Sequence, residues 1–342
     1  MAKKRNNRKR RVFILALSLL ITTVMFATSS YAWFTANKNV SVEQLQVKVE
    51  AKNGIQISTN AVDWKSIIQK TDIFGATGKY QAAVNQIPAT MQPVSTAGKI
   101  DSNAKLEMFY GEISNNLDGD YVLATTQEEE EATDATHLKG KYIAFDLFFK
   151  VNAQSKLYVQ PNSGITAAAA GGQGIENAAR IGFAILGNAD SSTDPDTLRT
   201  LGTNQGDEPT FYMWEPNYDV HTGAAVQHAL ATYNLSINES GEDALAYYGV
   251  AAEGTDILVQ TDMTNDQADY LHDYPTLFDT IEPDITTEKD FATEREIFTL
   301  QPGVTKVRIY VWVEGQDVDC ENDASGGTIN FDLSLRTPTL NE

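Results

Sequence analysis

Thr305-Lys-Val-Arg-Ile-Tyr-Val-Trp-Val-Glu314 alternates without a break. Val307, Ile309, Val311 and Val313 fall on one face, the two-residue period of a β-strand with an apolar side. The pattern recurs at Thr328-Ile-Asn-Phe-Asp-Leu-Ser-Leu335, where Ile329, Phe331, Leu333 and Leu335 share a face. Near the other end, Val40 and Val42 and then Leu45, Val47 and Val49 alternate, with a phase change at Gln44 that predicts a bulge. Tyr142–Val151 is rich in aromatics and reads as a buried strand, and Leu157–Gln160, Arg180–Leu186 and Gly54–Ser58 read as shorter ones. Ile143-Ala-Phe-Asp-Leu147 echoes Ile329-Asn-Phe-Asp-Leu333, as equivalent positions in a sheet would. Helical signals are few: one turn at Asp63–Gln69 and a short crossover at Gly174–Arg180. Strands at both ends with polar stretches between them predict an all-β chain, mainly an antiparallel jelly-roll-like β-sandwich with loop and short-helix insertions in the middle. The N-terminal and final strands are expected to share one core. Residues 190–300 are expected to form an insertion or subdomain.

Charge is unevenly placed along the 342 residues. Residues 1–11 carry seven of the 26 Lys and Arg and no acid, leaving 19 bases against 46 acids from residue 33 on, a net of −27. That balance argues against nucleic acid, which demands a basic surface to displace phosphate counterions, and against an anionic membrane surface as partner. The basic stretch runs into Val12–Ala27 and then Thr28-Ser-Ser-Tyr-Ala32. Small residues at Ser30 and Ala32, one residue apart, fit a signal-peptidase pocket. Residues 1–32 are therefore expected to be a signal peptide cut before Trp33, and 33–342 an exported domain, free of the membrane after cleavage. An uncleaved anchor is the alternative, although the apolar run is short for a bilayer span. One cysteine, Cys320, cannot form an internal disulfide and reads as a partly buried small hydrophobe.

Reactive residue types do not cluster in the sequence. His137, His221, His228 and His272 form no His-Glu-x-x-His pair, and no nucleophile elbow or phosphate loop is present. His221 and His228 are seven apart, a weak metal signal set against surface positions. Asp317, Asp319, Glu321 and Asp323 alternate, and two readings stay open: a calcium loop with oxygen ligands, or a solvated loop with Asx turns. Calcium is weakened by Asn322 and Thr328 where an EF-hand loop has Gly and Glu. Calcium is the only ionic cofactor these residues suggest. Glu128–Glu131 reads as a solvated loop tip and 161–174 as a surface loop. Tyr212, Trp214 and Tyr218 could stack on sugar rings or pack in the core.

The junction Ser30-Tyr-Ala-Trp-Phe-Thr35, after a basic and an apolar segment and before Val-rich strands, resembles exported proteins processed by the SipW-type signal peptidase. That family includes the biofilm fibre protein TasA and camelysin. The tail Tyr310–Cys320 followed by Ala324–Gly327 is similar to endings of uncharacterised Firmicutes surface proteins. The resemblance covers about 1–58 and more loosely 304–335. It implies a jelly-roll sandwich, a SipW-type signal peptidase as partner, and self-association or other matrix proteins as partners, with the N-terminal strand donated to a neighbour's sheet. The assembly strand would comprise Trp33, Phe34, Val40, Val42, Leu45, Val47 and Val49, with both aromatics as anchors. Pairing of Val40–Val49 within its own chain is the alternative. The expected function is a non-enzymatic, secreted cell-surface or biofilm-matrix structural protein that can build fibres. Alternatives are a surface ligand- or glycan-binding module and, last, a secreted metalloprotease, for which no metal motif is found.

Mass spectrometry of the exported chain tests the leader. The expected N-terminal residue is Trp33; a chain that retains residues 1–32 contradicts cleavage there.

Overall fold

A computed structural model describes residues 39–50, 54–75, 78–130, 138–168, 174–203, 209–241, 243–260, 269–321 and 326–338. The expected signal peptide and cleavage residues Ser30, Ala32 and Trp33, with Phe34, lie outside them. The first strands in chain order are β1 (Ser41–Val49), β2 (Gln56–Ser58), β3 (Ile67–Gln69), β4 (Asn85–Gln86), β5 (Met108–Asn115) and β6 (Tyr121–Glu128). Next come β7 (Ile143–Val151), β8 (Ser155–Val159), β9 (Gly164–Ala167), β10 (Ala179–Ala189), β11 (Thr210–Pro216) and β12 (Tyr247–Val250). The last are β13 (Gly254–Gln260), β14 (Phe278–Ile281), β15 (Ile285–Thr287), β16 (Arg295–Leu300), β17 (Gly303–Val313) and β18 (Thr328–Arg336). Helices are short: α1 (Lys70–Phe74), α2 (Pro195–Arg199), α3 (Gly223–Tyr233) and α4 (Asp269–Asp273).

Two sheets face each other. One runs β16-β8-β18-β1-β3, with β9 beside β18; the other runs β15-β11-β10-β17-β7-β2, with β4 beside β7. Their inner faces carry the residues that the alternation singles out. Val42, Leu45, Val47 and Val49 of β1 and Ile329, Phe331, Leu333 and Leu335 of β18 share one core with Val307, Ile309, Val311 and Val313 of β17. Phe145 and Phe331, the centres of the echoed phrases, sit in that core from opposite sheets. The chain is the β-sandwich that the strand patterns predict. Its pairing is mixed, since β1 runs parallel to β18 and β11 parallel to β15. The bulge is present: the β1–β18 register slips between Val42 and Gln44. Helical readings fare less well. Asp63–Gln69 leads into the short strand β3, and the turn before β10 is not a helix.

The stretch 190–300 is more integrated than an insertion. Its strands β11 and β15 belong to one main sheet and β16 to the other; 217–284 supplies α3, α4 and the small β12–β14 pair. That pair, residues 94–106 and the start of β5 lie over the outer face of the seven-stranded sheet, and β6 and β13 extend from β5 in a three-stranded sheet. Val94, Leu106, Met108 and Tyr247 pack there on Tyr310 and Trp312 of β17. Every residue of β17 is consequently buried, including Lys306 and Arg308.

A lysine and an arginine without water require partners, because an unpaired buried charge costs several kcal/mol. The register sets Arg308 opposite Asp146 of β7, and Arg308 Nε donates to Asp146 Oδ1 at 2.8 Å. Lys306 Nζ lies 3.4 Å from Asp146 Oδ2 and donates to the Arg199 carbonyl at 2.7 Å. Tyr80 donates to Asp146 Oδ2 at 2.7 Å. Glu130 completes the layer, accepting from Tyr310 at 2.5 Å with Arg308 Nη1 at 3.4 Å. The Glu128–Glu131 run is thus not a solvated tip: Glu130 is buried against Arg308, and Glu128 pairs with Lys141 at 2.7 Å. Burial pushes the Asp146 carboxyl up, but Arg308 and Lys306 outweigh it and hold the pKa down to about 2.

The Asp146→Asn substitution removes the shared partner of two buried cations. The expected loss is about 3–5 kcal/mol in urea unfolding, the usual cost of breaking a buried pair from one side. A loss below about 1 kcal/mol, the level of a surface pair, contradicts the buried layer. Because the folded pKa is depressed, this stabilisation is present above the ordinary carboxylate value. It is lost as pH falls from about 4 toward 2.

Candidate functional site

A second charged cluster forms at the other end of the same outer face. The register that sets Ile181 opposite Trp214 brings Arg180 of β10 beside Glu215 of β11. Arg180 Nη2 lies 2.6 Å from Glu215 Oε1 and also pairs with Asp317, and Nη1 donates to the Asn177 and Ala179 carbonyls at 3.2 Å. Asp317 follows β17 in a turn held by its own side chain, which accepts from the Asp319 amide at 2.8 Å. Glu314, at the end of β17, accepts from Trp312 Nε1 and from the Gln316 amide, both at 3.1 Å. The loop after β11 delivers His221. Asn217 takes a left-handed conformation (φ 62°), which Asn tolerates, and its Nδ2 donates to the Ile165 carbonyl at 2.8 Å. Just beyond, Thr222 caps α3 by accepting from the Ala225 amide at 3.0 Å. His221 is thereby aimed inward, where Nδ1 donates to Asp319 Oδ2 at 2.7 Å. The carboxylate fixes that tautomer, since it can only accept.

Beside this cluster is a cavity of about 140 Å³. Glu215, His221 and Asp317 reach it from the sheet side, and Tyr218, Tyr233, Tyr247 and Tyr248 supply aromatic walls. The β12 wall is held close by Gly249, where an added Cβ would fall 2.2 Å from the Thr96 carbonyl oxygen. Among the lining residues, the buried Glu215 Oε2 and His221 Nε2 have no protein partner. Burial, with repulsion from Asp317 and Asp319, lifts the Glu215 pKa to about 7 against the pull of Arg180 and His221. Burial likewise raises Glu314 to about 7 and Asp319 to about 6. Burial opposes the charge on His221, but its bond to Asp319 and the field of Asp319, Asp317 and Glu215 prevail and raise its pKa.

Several sequence expectations are corrected here. Asp317, Asp319 and Glu321 are buried, not solvated, and the first two carboxylates face Arg180 and His221 instead of converging on an ion. Asp323 lies outside the described residues. Among the described residues no group of three His, Cys, Asp or Glu is placed to hold a metal. His221 and His228 are buried rather than on the surface, and His228 Nδ1 donates to the Val318 carbonyl at 2.9 Å. Trp214 is fully buried and donates to Thr287 at 3.1 Å, which removes it as a sugar-stacking platform. Tyr212 stacks on Phe298, and of the three aromatics only Tyr218 reaches the cavity. Cys320 is fully buried. Arg180 and Glu215 escaped the sequence reading. The available signal was a charge set directly before or inside an apolar strand.

The N-terminal strand is placed as plainly. β1 pairs in parallel with β18 from Ser41 to Val49 and touches β3 over Gln46–Lys48 only. Val40, Val42, Leu45, Val47 and Val49 are all buried within this chain. No described helix is long and apolar enough to cross a membrane. Comparison with family models, curated proteins and solved structures returns no match.

Glu215, Glu314 and His221 all bind protons more tightly in the folded chain than unfolded. Each favours folding most below its unfolded pKa, and that contribution fades as pH rises through the folded value. For the two glutamates the window runs from about 4.3 to about 7. The urea midpoint of a Glu314→Gln chain is therefore expected to fall less across this window than that of the parent chain. Equal slopes in the two proteins contradict the buried carboxyl.

Proposed function

We propose that this chain is a non-enzymatic, exported structural protein of the cell surface or extracellular matrix, assembling into fibres by exchange of β1. The observation that carries this reading is the position of β1. It is the first described strand, eight residues separate it from the leader-like segment, and it docks on one long ladder to β18.

An N-terminal strand can leave one sheet and enter a neighbour's identical slot without threading a loop, and every backbone and side-chain contact is remade there. Energetics favour a change of host over a free strand. Four buried aliphatic side chains at ~1.5–3 kcal/mol each amount to roughly 10 kcal/mol, so β1 left in water is disfavoured. Exchange between like chains sets that term near zero and leaves concentration and the hinge to decide. The short β1–β3 pairing leaves one edge of β1 lightly held. The net charge of −27 from residue 33 on suits a soluble exterior. The Ser30–Thr35 junction supports export through a SipW-type signal peptidase and kinship with the TasA and camelysin group, and a jelly-roll order of strands belongs to the same reading.

A disulfide staple tests exchange. Gln46 and Asp332 are register partners on the more exposed face of the β1–β18 ladder. A Gln46→Cys, Asp332→Cys chain is expected to stay monomeric when oxidised and to form filaments in electron micrographs once reduced. Filaments of equal yield from the oxidised protein sink strand exchange.

A further inference from the structure

We propose that the tyrosine-walled cavity beside Glu215 binds a small organic ammonium ion. Size, wall chemistry and charge lead to the same class. At about 140 Å³ the space is close to the roughly 150 Å³ of an engineered cavity that holds benzene, so it takes one compact head group.

The hydroxyls of three wall tyrosines are engaged with protein groups, and Arg180 already lies 5.8 Å from the centroid of the Tyr247 ring. The Tyr233 hydroxyl donates to the Gln316 carbonyl at 3.2 Å and that of Tyr247 to the Thr96 carbonyl at 3.0 Å; Tyr248 lies 3.3 Å from His272 Nε2. Ring faces attract a cation through their quadrupole, more strongly where water is excluded. Leu235, Leu245 and Val318 add apolar surface suited to methyl or methylene groups.

The charges in and around the floor are mostly carboxylic: Glu215, Glu314, Asp317 and Asp319 against Arg180 and His221. Arg180 Nη2 is already shared by Glu215 and Asp317, which leaves little to attract an anion. Glu215 is one of the residues that line the cavity, and its Oε2, on a side chain only 6% exposed, has no protein partner. Leaving a buried carboxylate oxygen unbonded costs about 1–3 kcal/mol or more. An ammonium group recovers that bond and supplies the charge the cluster lacks. The unpartnered His221 Nε2 can accept a second N–H when the ligand is a primary amine and the imidazole is neutral. This site lies on the outer face of the seven-stranded sheet, away from β1, and does not depend on fibre assembly.

Calorimetric titration of the purified chain with choline, with n-propylammonium and with 3,3-dimethylbutan-1-ol, the uncharged isostere of choline, tests the proposal. One of the two cations is expected to bind saturably with a Kd of about 1 mM or tighter, and the alcohol at least about tenfold more weakly. Preference for choline assigns a quaternary head group, and preference for propylammonium a primary one. Glu215→Gln is expected to weaken the cation at least about tenfold, and Tyr248→Leu, which leaves the buried charges in place, at least about threefold. Three outcomes overturn the site: no saturable binding of either cation, equal binding of the alcohol, or unchanged cation affinity in a folded Tyr248→Leu chain.

Discussion

Everything on the outer side of the seven-stranded sheet follows from one constraint: β17 is buried on both faces. The inner face poses no difficulty, because Val307, Ile309, Val311 and Val313 meet the apolar faces of β1 and β18. The outer face carries Lys306, Arg308, Tyr310 and Trp312, and leads into Glu314, where no water reaches. Each polar group must find its partner inside the protein. Asp146 sits directly opposite Arg308 on β7, and Glu130 comes in from the covering layer. Arg180 on the neighbouring β10 anchors the second network through Glu215 and Asp317. The covering layer is therefore tied to the sheet by directed bonds to Arg308, from the Glu130 carboxylate after β6 and the Ala104 carbonyl, as well as by apolar contact. The cavity wall at Tyr247 is held by its hydroxyl bond to the Thr96 carbonyl and by Arg180, 5.8 Å from its ring centroid.

How much of this was legible in the sequence follows from which interactions are local. The two-residue period of β17, β18 and β1, and the phase slip at Gln44, are properties of the strand itself, and they reappear residue for residue. Burial of a charged side chain is not local. Glu130 finds Arg308 across 178 residues and Arg180 finds Asp317 across 137. Nothing near Glu130 announces that partner, so an acidic run reads as solvated when one member of it is buried. Asp317, Asp319 and Glu321 misled for the same reason, and His221 with them. Trp214 shows the reverse case: the sequence left it between a sugar platform and the core, and it is core. The usable clue was a lone charge placed against an apolar strand, as Asp146 is in Ile143–Val151 and Arg180 is before Ile181–Leu186. A strand of that kind requires a buried counter-charge.

The two functional proposals rest on different sheets. Strand exchange concerns β1 and β18 in the six-stranded sheet. The ammonium site uses residues carried on the far face of the seven-stranded sheet. Exchange of β1 moves no residue of the cavity, so a fibre built this way would display one cavity per subunit on its surface. The inner core shared by both sheets couples them only through general stability.

Carboxyl footprinting with a water-soluble carbodiimide and an amine, read by mass spectrometry, tests the double burial most directly. In the folded chain Asp146, Glu215, Glu314, Asp317 and Asp319 are expected to remain unlabelled while exposed acids such as Glu43 and Asp118 react, and all are expected to react after unfolding. Labelling of Asp146 and of the 314–319 group at the rate of Glu43 in the folded chain would contradict the buried charge layer on which the fold and the cavity both depend.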